Sequence, residues 1–220
     1  MIELKNISKK YKNSIFSNTT ITFPDNCINF IMGNNGCGKT TLFKCISGLE
    51  NYEGTITFDN HSITDIRNQL YILWDDTPFY QKLSGIDNIH IFCEDKISKR
   101  EIINIASEYI DYSTLKRTVR TYSYGQKKKL ALVLLNILKP KYILMDEISN
   151  GLDIDTMRNL EKNICDLAKD STIILTGHQF AFYQHIADNV FVKKGENLIQ
   201  VDYDKNNNIG LEAIYNEKLN

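Results

Sequence analysis

Apolar and polar positions alternate, cluster and recur along the chain in an order that predicts a layered α/β fold. Residues 1–7 alternate as an edge strand would, and residues 19–23 repeat the alternation before a turn at Pro24, Asp25 and Asn26, so an antiparallel start is expected. The β-rich apolar run 27–32 reads as a further strand, and residues 41–47 as a helix stopped by Gly48. Residues 55–58 give a short strand with a turn at Asp59 and Asn60, and 69–74 is apolar enough for a covered position. From 83 to 115 the pattern turns helical. Ser98 with Glu101 is a capping box, opening a segment expected to bury Ile102, Ile105, Ala106 and Tyr109. Ser123 and Gln126 form a second capping box, opening a helix that runs through 130–138, is apolar nearly all round and stops before Pro140. Residues 142–145 form a short apolar run ending in two acids, which fits a central parallel strand whose end faces a ligand crevice. Ile154, Met157, Leu160, Ile164 and Leu167 share one face of the next helix, 172–176 reads as a strand, and 190–192 with 198–201 as a closing hairpin through Gly195.

At 220 residues the chain suits one α/β domain, or a core with a smaller insertion, with room for a substantial core. A formal net charge of -1 gives no global reason to expect nucleic acid as a partner. The cysteines Cys27, Cys37, Cys45, Cys93 and Cys165 are odd in number, widely spaced and without a C-x-x-C pair. They suit small buried hydrophobes in a reducing cytoplasm rather than zinc ligands or disulfides, with Cys37 open to oxidants when its loop is empty. The N-terminus has no apolar leader, and no apolar run approaches the roughly 20 residues of a membrane span. The polar stretch 204–208 is expected to be a turn or the start of a loose tail.

The candidate chemistry begins at residues 33–41, GNNGCGKTT. Its glycines Gly33, Gly36 and Gly38, interleaved with Asn34, Asn35 and Cys37, let the backbone curl so that N–H groups point inward. Lys39 can then reach β- and γ-phosphates and Thr40 can offer its hydroxyl to Mg²⁺, while Thr41 opens the helix whose N-terminus favours anions. A Mg²⁺-nucleotide site also needs an acid on a neighbouring strand, and Asp146 is there. Glu147, adjacent but pointing differently, can orient and deprotonate a water. The capping box at Ser123, with Gly125 and Gln126, presents a hydroxyl, backbone and a positive helix end, a γ-phosphate receptor as well as an ordinary helix start. Lys127, Lys128 and Lys129 read as a solvated helix face.

Together these residues resemble the ATP-binding cassette family. Residues 33–41 look like its Walker A, 142–147 like its Walker B with catalytic glutamate, and YSYGQ at 122–126 like its signature LSGGQ. Asn150, Gly151, Leu152 and Asp153 are similar to the D-loop, His178 to the switch histidine and Tyr11 to the aromatic that stacks on adenine. The resemblance implies a phosphate-loop NTPase core with a mixed sheet, an N-terminal antiparallel β portion and an inserted α-helical subdomain. It implies one domain over 1–220: a RecA-like core at 1–82 and 140–203, helical insertion at 83–139, and tail at 204–220. It further implies an ATPase using ATP and Mg²⁺ that drives a transmembrane permease from the cytoplasmic face of the membrane. Two chains, a homodimer or a heterodimer with a second cassette, would sandwich ATP. The segment 74–88 looks like export-type cassettes. Alternatives are a cassette ATPase acting on a soluble complex, a phosphate-loop kinase and a regulatory subunit with little turnover. Two departures stand out. Asp75 occupies the place of the Q-loop glutamine, where it can reach the metal through water but adds negative charge. Tyr124 replaces the first signature glycine, which is expected to restrict the backbone.

Overall fold

The computed structural model describes residues 1–75, 78–94, 96–205 and 210–219. The chain begins with β1 (Ile2–Lys10), β2 (Ser14–Phe23), β3 (Ile28–Gly33) and α1 (Lys39–Ile46), continued by β4 (Glu53–Phe58), α2 (Ile63–Ile66) and β5 (Leu70–Leu73). Helices α3 (Gly85–Phe92), α4 (Lys99–Ala106), α5 (Tyr112–Lys116) and α6 (Tyr124–Leu138) follow. The last part runs β6 (Tyr142–Asp146), α7 (Ile154–Leu167), β7 (Thr172–Thr176), α8 (Phe180–Ile186), the hairpin β8 (Asn189–Lys194) and β9 (Asn197–Val201), and α9 (Leu211–Leu219). Among the described residues no helix is long and apolar enough to cross a membrane.

The strands form a three-stranded antiparallel sheet in the order β2-β1-β4 and a six-stranded sheet in the order β5-β6-β7-β3-β8-β9. The larger sheet is parallel from β5 to β8 and turns antiparallel only at β9. Its inner strands are covered on both faces, which explains their unbroken apolar runs. Alternate side chains go to two different cores. Phe30, Met32, Ile143, Met145, Ile173 and Leu175 meet the helices α3 to α9. Ile31, Leu144, Ile174 and Phe191 meet α1 and the antiparallel sheet. The result is a layered molecule whose middle sheet fixes the level at which β3, β6 and β7 end.

Several expectations change. The stretch 1–7 is not an edge: β1 lies between β2 and β4, and its alternation reflects one face on the core and one toward solvent. The covered strand expected at 69–74 is instead the edge of the large sheet, with Leu70, Tyr71 and Ile72 half-buried. Ile105 and Tyr109 are half-buried rather than core, and Ile154, at the first turn of α7, is 66 % exposed. Cys165 is exposed, unlike Cys45 and Cys93. The expected loose tail is a helix. Of the polar stretch 204–208, residues 206–208 lie outside the described residues, but α9 beyond them buries Leu211 and Ile214 and packs against α8, β8 and β3.

Because Leu211 is 0 % exposed in the same core as the central strands, Leu211→Ala is expected to destabilise the fold by about 2–4 kcal/mol. Urea unfolding should show a lower midpoint with an unchanged slope; an unchanged midpoint would mean that α9 is dispensable to the core.

Candidate functional site

Residues 33–41 join β3 to α1 at the C-terminal end of the parallel strands. Gly38 caps α1 at φ 109, and a Cβ there would collide with the Ile15 side chain, so only glycine fits. Gly36 has φ 74 and open space where a side chain would be. Asn34, Asn35 and Gly36 form the exposed lip, Cys37 and Gly38 are half-buried, and the Cys37 N–H closes the turn on the Asn34 carbonyl at 3.2 Å. Immediately behind, α1 directs its first N–H groups, those of Lys39, Thr40 and Thr41, toward the loop. The Lys39 ammonium, nearly buried, donates to the carbonyls of Gly33 (2.8 Å) and Asn34 (3.2 Å), so it arches over the cradle rather than into solvent.

The neighbouring strands supply the acids. Asp146 ends β6, and its two oxygens accept from the Thr40 hydroxyl (2.7 Å) and the Thr176 hydroxyl (2.5 Å). An alcohol and a carboxylate so placed, beside a lysine and a helix N-terminus, fit a hard cation such as Mg²⁺ held against phosphate oxygens. Glu147 follows at φ 51, a left-handed backbone that turns its side chain away from Asp146. Its N–H is shared by the Thr176 carbonyl (3.1 Å) and hydroxyl (3.2 Å). One carboxylate oxygen accepts from Asn150 Nδ2 at 2.6 Å, and the other lies 3.5 Å from His178 Nε2. That same imidazole nitrogen is 3.5 Å from Lys39 Nζ. Burial and then the Lys39 charge push the His178 pKa below its usual 6.5, with Glu147 opposing, so the ring is neutral at neutral pH.

Behind the acids, Tyr183 is fully buried and stacks on Phe30 with centroids 4.4 Å apart. Its hydroxyl bonds the Thr176 carbonyl and the Ser149 hydroxyl, each at 3.0 Å. Gly177, which precedes His178, lies so close to this ring that a Cβ would overlap it.

The expected capping box opens α6: Ser123 Oγ accepts from the Gln126 N–H at 3.2 Å, and the Gln126 side chain accepts from the Ser123 N–H at 2.9 Å. Tyr124 stands at the first helical position, outside the left-handed region, so the lost glycine imposes no backbone strain here. Its ring packs toward Gly151 of the following loop, while Gly125 approaches Leu152. Asp153 caps α7, accepting from the Thr156 N–H at 2.7 Å. Of the residues expected to reach the metal, Thr40 and Asp146 come together, whereas the Asp75 carboxylate is engaged by the Tyr124 hydroxyl and by Lys128 Nζ at 3.3 Å. Lys128 is therefore not on a solvated face: it is 1 % exposed, and burial lowers its pKa. The inward turn is readable in retrospect from Ala131, Leu132 and Leu135, which share its side of the helix.

Tyr11 lies just beyond β1, half exposed, with Lys9 Nζ 4.5 Å from its ring centroid and its hydroxyl near Glu50 and Thr41. A contact that the motifs do not announce comes from α9. Tyr215 donates to Asn34 Oδ1 at 2.6 Å and packs on Phe180 at 4.9 Å, linking the last helix to the phosphate loop. Since the Lys39 charge depresses the His178 pKa, Lys39→Ala should raise the midpoint of the His178 imidazole in an NMR titration; a fixed or falling midpoint would show the two groups to be uncoupled.

A profile of the ABC transporter family matches residues 16–150, from β2 to the loop behind the acids. The lantibiotic transport ATP-binding protein SrtF of Streptococcus pyogenes is 28% identical over 226 residues, an alignment covering 100% of this chain and 97% of that protein. The methionine import ATP-binding protein MetN of Clostridioides difficile (strain 630) is 26% identical, with 91% of this chain and 68% of MetN covered. Among solved structures, an ATP binding subunit of an ABC transporter superimposes with a TM-score of 0.84 at 20% identity, over 99% of this chain and 92% of that one. Another, cbiO1 from Clostridium perfringens, part of the ABC transporter complex cbiONQ, gives 0.79 at 21% identity, over 98% and 93%. At these identities the structures establish likeness of fold. Because the family profile spans more than half of the chain and contains both the phosphate loop and the acids that face it, the chain belongs to the ABC transporter family.

Proposed function

We propose that this chain binds ATP with Mg²⁺ at residues 33–41, hydrolyses it with Glu147 as base, and powers a separately encoded membrane permease. Two cassettes, identical or different, would close on ATP at the cytoplasmic face of the membrane and reopen after hydrolysis. The observation that carries the reading is the convergence of Lys39, the Thr40–Asp146 pair and the outward-turned Glu147 at one level of the sheet.

The division of labour follows from the chemistry. Lys39 and the N–H groups of Asn35, Gly36, Gly38, Thr40 and Thr41 bind the phosphates, while the Cys37 N–H holds the loop closed on Asn34. Thr40 and Asp146 would hold Mg²⁺, which when bound offsets charge on the β- and γ-phosphate oxygens. Asp75 is left out of the metal set, since Tyr124 and Lys128 engage it. Asn150 fixes one oxygen of Glu147 so that the other can take the proton of the attacking water, and neutral His178 donates a hydrogen bond toward the γ-phosphate. Tyr11 stacks on adenine. Ser123, Gly125 and Gln126, carried by the helical segment 83–139, complete the site of the facing cassette.

Export is the direction that we infer, because the segment 74–88 resembles export-type cassettes; its residues 76 and 77 lie outside the described residues.

Glu147→Gln is expected to lower ATP turnover by about 10²–10⁴-fold while ATP still binds, because it removes the base and spares the metal pair. Near-normal turnover, or phosphate transferred to an acceptor other than water, would overturn the reading. Lys39→Ala should weaken ATP binding by about 1.5–3 kcal/mol, read by titration calorimetry; an unchanged affinity would remove Lys39 from the phosphate site.

A further inference from the structure

Lys128 is a buried cation for which the hydrolytic scheme above has no use. It lies one turn into α6, 1 % exposed, with Nζ 3.3 Å from Asp75 Oδ1 and 3.5 Å from the Glu147 carbonyl oxygen. The Tyr124 ring centroid is 5.0 Å away, and the Tyr124 hydroxyl donates to the same oxygen of Asp75. Taking an ammonium out of water is costly even when it is paired, and an apolar side chain of similar length would fill the space without that cost. Packing alone therefore does not call for a lysine here.

What the cation touches does call for one. Glu147 sits at φ 51, a left-handed backbone that is unfavourable for a non-glycine residue and persists only where its surroundings hold it. Its N–H is held by Thr176, and its carbonyl accepts from the Asn150 N–H at 3.2 Å and from Lys128 Nζ. If the residue relaxed to negative φ, its carboxylate would swing away from His178 and Asn150. We propose that Lys128 is a positioning residue: it locks the Glu147 backbone in the left-handed conformation that aims the base, with Asp75 as its counter-ion and Tyr124 as the clamp that ties both to the Ser123 end of α6. This rests on the hydrolytic reading and adds a route into it. A shift of the Ser123 end, wherever it originates, reaches the base through Lys128. The two departures from the family pattern then belong together, because the negative charge of Asp75 and the ring of Tyr124 both serve the same ammonium.

The test is a double-mutant cycle on the full chain, reading ATP turnover and ATP affinity separately. Lys128→Met is expected to lower kcat by about tenfold or more while ATP affinity stays within about threefold, since the phosphate contacts are untouched. In a Glu147→Gln background the same change should alter the residual rate by less than about twofold, because the base that it positions is already gone. Lys128→Gln, which keeps an N–H donor without the charge, should fall between the two, and it serves as the second variant if the methionine does not fold. An equal fold-loss in both backgrounds would mean a general structural role and would overturn the proposal, as would an unchanged kcat or a loss confined to affinity. Absence of ATP hydrolysis in the parent chain would sink the functional reading and this inference with it. Normal parent activity that Glu147→Gln abolishes and Lys128→Met leaves intact would sink this inference alone.

Discussion

The Asp146 carboxylate is the knot on which the site depends. Each of its oxygens accepts a hydroxyl, one from α1 and one from β7, so a single side chain at the end of β6 binds the phosphate-loop helix to the adjacent strand. Parallel pairing makes this possible. Asp146 lies opposite Thr176, and Thr176 lies opposite Ile31, two residues before the loop begins. A carboxylate this poorly exposed would be expensive without partners, and the two hydroxyls satisfy it while leaving it able to exchange one for a cation. Pulling any of the three strands out of register by one residue would send its side chains to the opposite core and dissolve the knot.

Around that knot the charges are distributed so that none stands alone. Lys39 is satisfied by the carbonyls of its own loop, His178 bridges the space between Lys39 and Glu147, and Lys128 faces Asp75. Lys39 is thus preorganised at the crevice, where an anionic ligand would otherwise have to order it on arrival. The Glu147 backbone, held against its conformational preference, is the strained member of this arrangement.

Much of this was legible in the residues, and what was not has physical reasons. Residues 33–41 and the pair Asp146 and Glu147 carry their chemistry in their spacing, and the capping box at Ser123 is a local hydrogen-bond pattern that depends on nothing distant. Lys128 reads as solvated because a run of three lysines resembles an exposed helix face, while its burial is decided by Asp75 and Glu147, both far away in sequence. The edge position of β5 and the central position of β1 depend on strand order, which local alternation does not encode. The helix α9 is not announced by its sequence, because a short segment with weak apolar periodicity after a polar stretch gains its stability from docking, here through Leu211 and Ile214, rather than from propensity. Thr176 reads locally as no more than the end of a strand, although its hydroxyl and carbonyl serve Asp146, Glu147 and Tyr183.

The contact between Gly177 and the Tyr183 ring has a consequence for how the site can vary. A methyl group at position 177 leaves the phenol nowhere to sit, and the phenol is the bridge from Thr176 to Ser149. The two positions are therefore a lock and its key: a redesigned variant that places alanine before the histidine has to trade the aromatic for a smaller residue. It would then need a new hydrogen-bond partner for Ser149, which has no access to solvent of its own.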